Sequence, residues 1–196
     1  GSRALFRNTS GTYNVALGTE SLLGNTSGKY NIGIGRKTLF KNSTGSWNTA
    51  IGSFSLGLNT TGSRNTATGY GALYKNTTGG YNTANGYQAL FTNETGSYNN
   101  AFGYRALYAN TTGQHNVAVG SETLLSNTTG SNNIAMGRGT MENNVDGSYN
   151  IAFGARSLNR LVDGFDNIAI GYAALSTITD GETNVGIGVY AGRSLT

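Results

Sequence analysis

The sequence predicts an all-β fold, a parallel β-roll or solenoid of eleven 17-residue coils. Three observations predict it. Lines such as NTTGSRNTATGYGALYK, NTTGGYNTANGYQALFT and NETGSYNNAFGYRALYA follow one another from Asn59, Asn76 and Asn93 without insertion or deletion. Seventeen residues are too few for the helix pair of a helical repeat, which takes about 33–47. Within each line, apolar and small residues alternate with the period of two that marks a strand.

Counting each unit from position 1, the units start at residues 8, 25, 42, 59, 76, 93, 110, 127, 144, 161 and 178. Gly1 and Ser2 read as a cloning scar, and residues 3–196 as a single repeat domain excised from a longer fibre. RALFR at residues 3–7 matches the end of a unit, as RALYA does at 105–109, and Leu195 with Thr196 opens another. Positions 4 and 11 are Gly in all eleven units and position 7 is always Asn. Position 9 is only Ala or Gly, and position 15 is Leu in nine units, Met141 in one and Gly192 in the last.

Each element of the coil follows from these columns. The first strand covers positions 7–11, as in YNIAFG (149–154) and DNIAIG (166–171). Apolar residues at 8 and 10 then share one face, and with Leu at 15 they form the expected core. The Gly at 11 makes a bend, and a second short strand is expected at 13–16. NTTG and DG are turn signals that close the coil. Coils stacked about 4.8 Å apart make a rod on the order of 50 Å long. Equivalent residues then stack on themselves, so the Asn columns at positions 7 and 1 are expected to form amide ladders. Eight units, from Asn8 to Asn127, carry N-x-S/T at positions 1–3. These sequons read as turn chemistry, with the Ser or Thr bonding turn backbone, rather than as glycosylation sites. Asp146, Asp163 and Asp180 take over position 3 in the last three units and suit the same turn. Thr66, Thr68, Thr83, Asn85 and Asn100 interrupt the expected apolar columns in mid-array and have no place in this core.

The strand phrase carries a resemblance. HNVAVG, NNIAMG, WNTAIG and DNIAIG resemble the N-S-V-A-I-G repeat of trimeric autotransporter adhesin heads. The longer phrase GYxALxxNTTGxYN is similar to repeats of phage tail-fibre-type and predatory-bacterium surface fibre proteins. The resemblance covers residues 3–196. It implies a left-handed parallel β-roll, assembled as a parallel homotrimer, in an extracellular, cell-surface or virion fibre. Two departures stand out: the unit is longer than the usual adhesin-head repeat, and position 8 is polar at Thr49, Thr66, Thr83 and Asn100.

Composition narrows the function. Hydrophobic residues make up 37% and charged residues 11%, which suits a regular structure with little bulky core. There is no Cys, so no disulfide can form. No apolar run approaches the roughly 20 residues of a membrane span, so membrane insertion by this segment is not expected. The net charge is +4, without a Lys/Arg run, so no nucleic-acid partner is expected. No phosphate-loop pattern occurs. The single His115 sits in a surface column, and no His/Cys/carboxylate group has metal spacing. No catalytic residue, metal or cofactor is expected, and the chain reads as a non-enzyme.

Candidate ligand contacts are the aromatic residues of the middle coils. They are Tyr70, Tyr87 and Tyr104 at position 12, Tyr74, Phe91 and Tyr108 at position 16, and Trp47, Tyr81 and Tyr98 at position 6. A ring face stacks on a sugar while a hydroxyl bonds its polar edge. The expected role is attachment to a cell-surface glycan or receptor through multivalent contact. Two alternatives stay open, an ice-binding β-solenoid and the shaft of a polysaccharide-degrading tail fibre.

Overall fold

The computed structural model describes residues 1–193. The opening of a further unit at Leu195 and Thr196 lies outside the described residues. The described chain contains one three-residue strand per coil and no helix. These strands are β1 (Val15–Leu17), β2 (Ile32–Ile34), β3 (Thr49–Ile51), β4 (Thr66–Thr68), β5 (Thr83–Asn85), β6 (Asn100–Phe102), β7 (Val117–Val119), β8 (Ile134–Met136), β9 (Ile151–Phe153), β10 (Ile168–Ile170) and β11 (Val185–Ile187). They form a single parallel sheet in chain order. The register is one unit throughout, with Val15 opposite Ile32 and Ile168 opposite Val185. Each 17-residue line is therefore one coil of a β-solenoid, and equivalent positions lie against each other.

The core differs from the expectation in which strand face it uses. Ala50, Ala67, Ala84, Ala101 and Ala118, all at position 9, are fully buried. Positions 8 and 10 point out, as at Val15, Leu17, Ile51, Phe102 and Ile170. The reason is the thinness of the coil. A Cβ on Gly33 would already meet Ser21 Oγ at 2.6 Å and Thr38 Oγ1 at 2.9 Å, both on the opposite wall. Only Ala or Gly fits between the walls, so the small column goes inside and the large columns go outside. Thr66, Thr68, Thr83, Asn85 and Asn100 therefore lie in the outward columns and never enter the coil interior.

The expected second strand is a turn-rich segment instead. Position 13 has positive φ in all eleven coils, and position 15 is likewise left-handed from Leu22 to Gly192. A strand would send positions 14 and 15 to opposite faces. Here Ser21 and Leu22 are both buried, as are Ala72 with Leu73 and Ala89 with Leu90. The core is completed by position 15 from Leu22 through Met141 to Leu175. Left-handed backbone costs roughly 1–2 kcal/mol per non-glycine residue. The cost is offset by bonds to both neighbouring coils. Lys37 N–H donates to Thr19 O at 2.9 Å below, and Leu39 N–H to Ser55 O at 3.1 Å above.

Both Asn ladders form. At position 7, Asn82 Nδ2 donates to Gly96 O at 2.9 Å, and Asn82 Oδ1 accepts the backbone N–H of Asn99 at 2.9 Å. At position 1, Asn76 Nδ2 donates to Asn59 Oδ1 at 2.7 Å and to Gly79 O at 2.9 Å. The position-1 ladder ends where Leu161 and Ile178 replace Asn, and Asn144 Oδ1 is left buried without a protein partner. Turn bonding follows a different residue from the one expected. The hydroxyl at position 2 does it: Thr26, Thr60 and Thr77 each donate to the position-2 carbonyl of the next coil at 2.9 Å.

Glycine is required twice per coil. At position 11 the backbone has φ of +111° to +142°, and a Cβ on Gly103 would collide with the carbonyl oxygen of Gly120 in the next coil. At position 4 space alone decides, since a Cβ on Gly62 would collide with both Asn59 Oδ1 and Gly79 O.

Candidate ligand-contact surface

The aromatic residues selected from the sequence fall into two separate groups. Trp47, Tyr81 and Tyr98 belong to a stack along position 6. Tyr70, Tyr87 and Tyr104 form a second row, and Tyr74, Phe91 and Tyr108 a third beside it.

The position-6 stack is longer than that selection. Tyr13 and Tyr30 stack at 4.8 Å between centroids, and Tyr30 and Trp47 at 5.6 Å. The Arg64 guanidinium lies 5.1 Å from the Trp47 ring and 5.1 Å from the Tyr81 ring, and hydrogen-bonds the Tyr81 hydroxyl. Tyr81, Tyr98 and His115 continue the pile at 4.8 and 4.9 Å, with interplanar angles of 10° and 4°. Arg64 thus bridges two runs of rings as a planar cation between two π faces. Aromatic density in the middle coils does not pick out Tyr13, Tyr30, Arg64 and His115 as members of this group. The column does, since all of them occupy position 6. This position is left-handed in every coil, from Tyr13 at φ 59° to Thr183 at φ 55°.

The second and third rows are also stacked. Tyr70 lies 5.4 Å from Tyr87, and Tyr87 5.6 Å from Tyr104. Tyr74 lies 5.3 Å from Phe91, and Phe91 5.4 Å from Tyr108. The position-12 tyrosines are exposed, whereas Tyr74, Phe91 and Tyr108 are half-buried. Arg105 closes one end, its guanidinium 4.7 Å from the Tyr108 ring and 5.8 Å from Tyr104. Phe54 closes the other, meeting Tyr70 and Tyr74 edge-on at 70° and 82°.

This geometry changes the chemistry the rows can do. Rings stacked this closely cover one another's faces, so a ring inside a row presents its edge and hydroxyl. A free face remains only at a row end or on a ring turned out of the stack. Phe54 is such a ring on one side: it has no parallel ring partner among the described residues, and the Arg36 guanidinium covers its other face at 5.2 Å from the centroid.

Charge contributes little built structure. Among the described residues the ion pairs are Arg3–Glu20 at 3.3 Å and Lys37–Glu20 at 3.6 Å, both near the first coil. Among them, no group of three or more His, Cys, Asp and Glu side chains could hold a metal ion, and no helix is long and apolar enough to cross a membrane. No family model, no curated protein and no solved structure matches this chain.

Proposed function

We propose that the chain is a non-enzymatic segment of an extracellular fibre, a left-handed parallel β-roll assembled as a parallel homotrimer, that attaches to a cell surface through repeated weak glycan contacts. The observation that carries this reading is the outward face of the sheet. Val15, Leu17, Ile32, Ile51, Phe102, Met136, Phe153, Ile170, Val185 and Ile187 are all exposed on it, in two adjoining columns that are apolar toward both ends of the rod and polar in between, at Thr66, Thr68, Thr83 and Asn85. Exposed apolar surface gathered on one face marks an association face. Three parallel copies around an axis bury such a strip without leaving an open edge. The number three comes from the resemblance of the strand phrase to trimeric adhesin heads.

Attachment follows from repetition. The rows at positions 12 and 16 lie in the part of the coil that runs back from the Gly bend, and the position-6 stack lies in the turn before the strand, all outside the sheet columns. A bundle held together by the sheet face leaves them in water. Three copies of a weak site on one rod bind more tightly than one when the partner surface is itself repetitive. The ice-binding alternative draws no support, because Thr occupies both outward positions only in β4, at Thr66 and Thr68.

Light scattering tests the assembly. The wild-type chain should have the mass of three chains, and Ile134→Asp with Ile151→Asp, both in the outward columns, should have the mass of one. A single-chain wild-type mass sinks the assembly half of the reading.

A further inference from the structure

We infer that the rod carries a discrete sugar-binding notch at Gly71, which takes one pyranose ring of a neutral glycan. The inference rests on the attachment reading above and gives it a location. The notch is a cavity of about 210 Å³ lined by Phe54, Tyr70, Gly71, Tyr74, Gln88 and Phe91. It lies where the second and third aromatic rows begin.

The opening exists because one side chain is missing. Position 13 runs between the two rows and carries Phe54, Gly71, Gln88 and Arg105 in successive coils. Its backbone is left-handed whatever the residue, with φ of 64° at Phe54, 65° at Gly71 and 54° at both Gln88 and Arg105. Backbone conformation therefore gives no reason for glycine at 71. What glycine provides is room, since even a Cβ there would lie 3.2 Å from the Phe91 ring.

A second glycine in the same column is an internal comparison. Gly139 has the same conformation, with φ of 60°. The space beside it is occupied, because Asn159 Nδ2 donates to Gly139 O at 2.9 Å and to Glu142 Oε2 at 3.0 Å. No such polar pair lines the Gly71 notch. Its surroundings are aromatic on three sides, with one amide at Gln88.

That composition selects the ligand. A pyranose offers a flat patch of C–H bonds and a rim of hydroxyls. The Phe54 ring, with Arg36 on one face and no parallel ring among the described residues on the other, supplies that second face as the π surface for the C–H patch. The phenol hydroxyls of Tyr70 and Tyr74 and the amide of Gln88 supply donors and acceptors for the rim. No acidic or basic side chain lines the notch, and Arg36 stands behind the Phe54 ring outside the lining, so a neutral sugar is the ligand the lining suits. The volume takes one ring, so recognition is of a terminal or branch residue.

The test uses the whole chain and saturation-transfer NMR with methyl β-glucopyranoside, methyl β-galactopyranoside, methyl α-mannopyranoside and N-acetylphenylalaninamide. The expected result is transfer to one of the sugars, with affinity reduced about tenfold or more, roughly 1.4 kcal/mol, in Gly71→Gln. Gln already occupies this column one coil on, so the variant keeps the fold, and an unchanged melting temperature verifies it. Phe54→Leu should weaken the same sugar. Sugar binding that survives Gly71→Gln but disappears in Tyr81→Ala moves the contact to the position-6 stack. That result overturns the notch and leaves the attachment reading standing. Binding of N-acetylphenylalaninamide alone assigns the cavity to a peptide side chain and overturns the sugar. Wild-type chain that binds none of the sugars overturns the notch, and a negative glycan array on the assembled rod would remove the glycan reading with it.

Discussion

Replacing Asn99 by Ala should cost far more than replacing Asn110 by Leu, although the two asparagines sit in the same stretch of rod and both are fully buried. Asn99 belongs to the position-7 ladder. Its Nδ2 donates to Gly113 O at 2.8 Å, and its Oδ1 accepts both the backbone N–H of Asn116 at 3.0 Å and Asn116 Nδ2 at 3.1 Å. Two partners keep another bond after truncation: Gly113 O retains Asn110 Nδ2 at 3.0 Å, and Asn116 Nδ2 retains Gly130 O at 2.8 Å. The backbone N–H of Asn116 keeps none. Two lost bonds at about 1 kcal/mol each and one stranded buried N–H at about 2 kcal/mol give a loss of about 4 kcal/mol.

Asn110 belongs to the position-1 ladder, which touches no backbone N–H. Its Oδ1 accepts only Asn127 Nδ2, at 2.9 Å, and that group keeps Gly130 O at 3.0 Å. Leu in its place strands Asn93 Oδ1, which now accepts Asn110 Nδ2 at 2.7 Å. That loss of about 1–3 kcal/mol is offset by about 1.5–3 kcal/mol of apolar burial. The junction of coils 9 and 10 is already built this way, with Leu161 buried above an unpartnered Asn144 Oδ1. The net change should stay within about 2 kcal/mol. Urea unfolding followed by circular dichroism, at one fixed chain concentration because association shifts apparent stability, measures both. Equal losses, or a larger loss for Asn110→Leu, would refute the claim that the position-7 ladder is held by its backbone bond.

Two further outcomes are expected. Ala67→Leu should destabilise by about 1–3 kcal/mol or more through overpacking between the coil walls, while Thr66→Leu, one residue away on the outward face, should be tolerated; parallel thermal melts compare them, and the opposite order means the sheet is read inside out. Arg64→Ala should expose Trp47, seen as stronger acrylamide quenching of its fluorescence, with a stability change of only about 0.5–1 kcal/mol for an exposed cation–π contact; unchanged quenching means the guanidinium does not cover the ring.

The amino-acid sequence determined the repeat, the register and the ladders. A period without insertions makes each residue the neighbour of its own equivalent, so Asn14 lies against Asn31 whatever the coil's detailed shape. The aromatic rows were legible for the same reason, although His115 and Arg64 needed the column and not the residue type. Sidedness was not legible. Alternation says that positions 8 and 10 share a face, but only the distance between the walls decides which face is inside, and that distance admits Ala50 and excludes Ile51. The segment after the Gly bend is not a strand for a related reason. Its left-handed backbone lets Ala72 and Leu73 both turn inward, and no periodicity of side chains reports a conformation enforced by hydrogen bonds to the coils above and below. The Gly71 notch is the furthest from the sequence, since a missing side chain becomes a cavity only when two aromatic rows, each built from residues 17 apart in the chain, stand on either side of it.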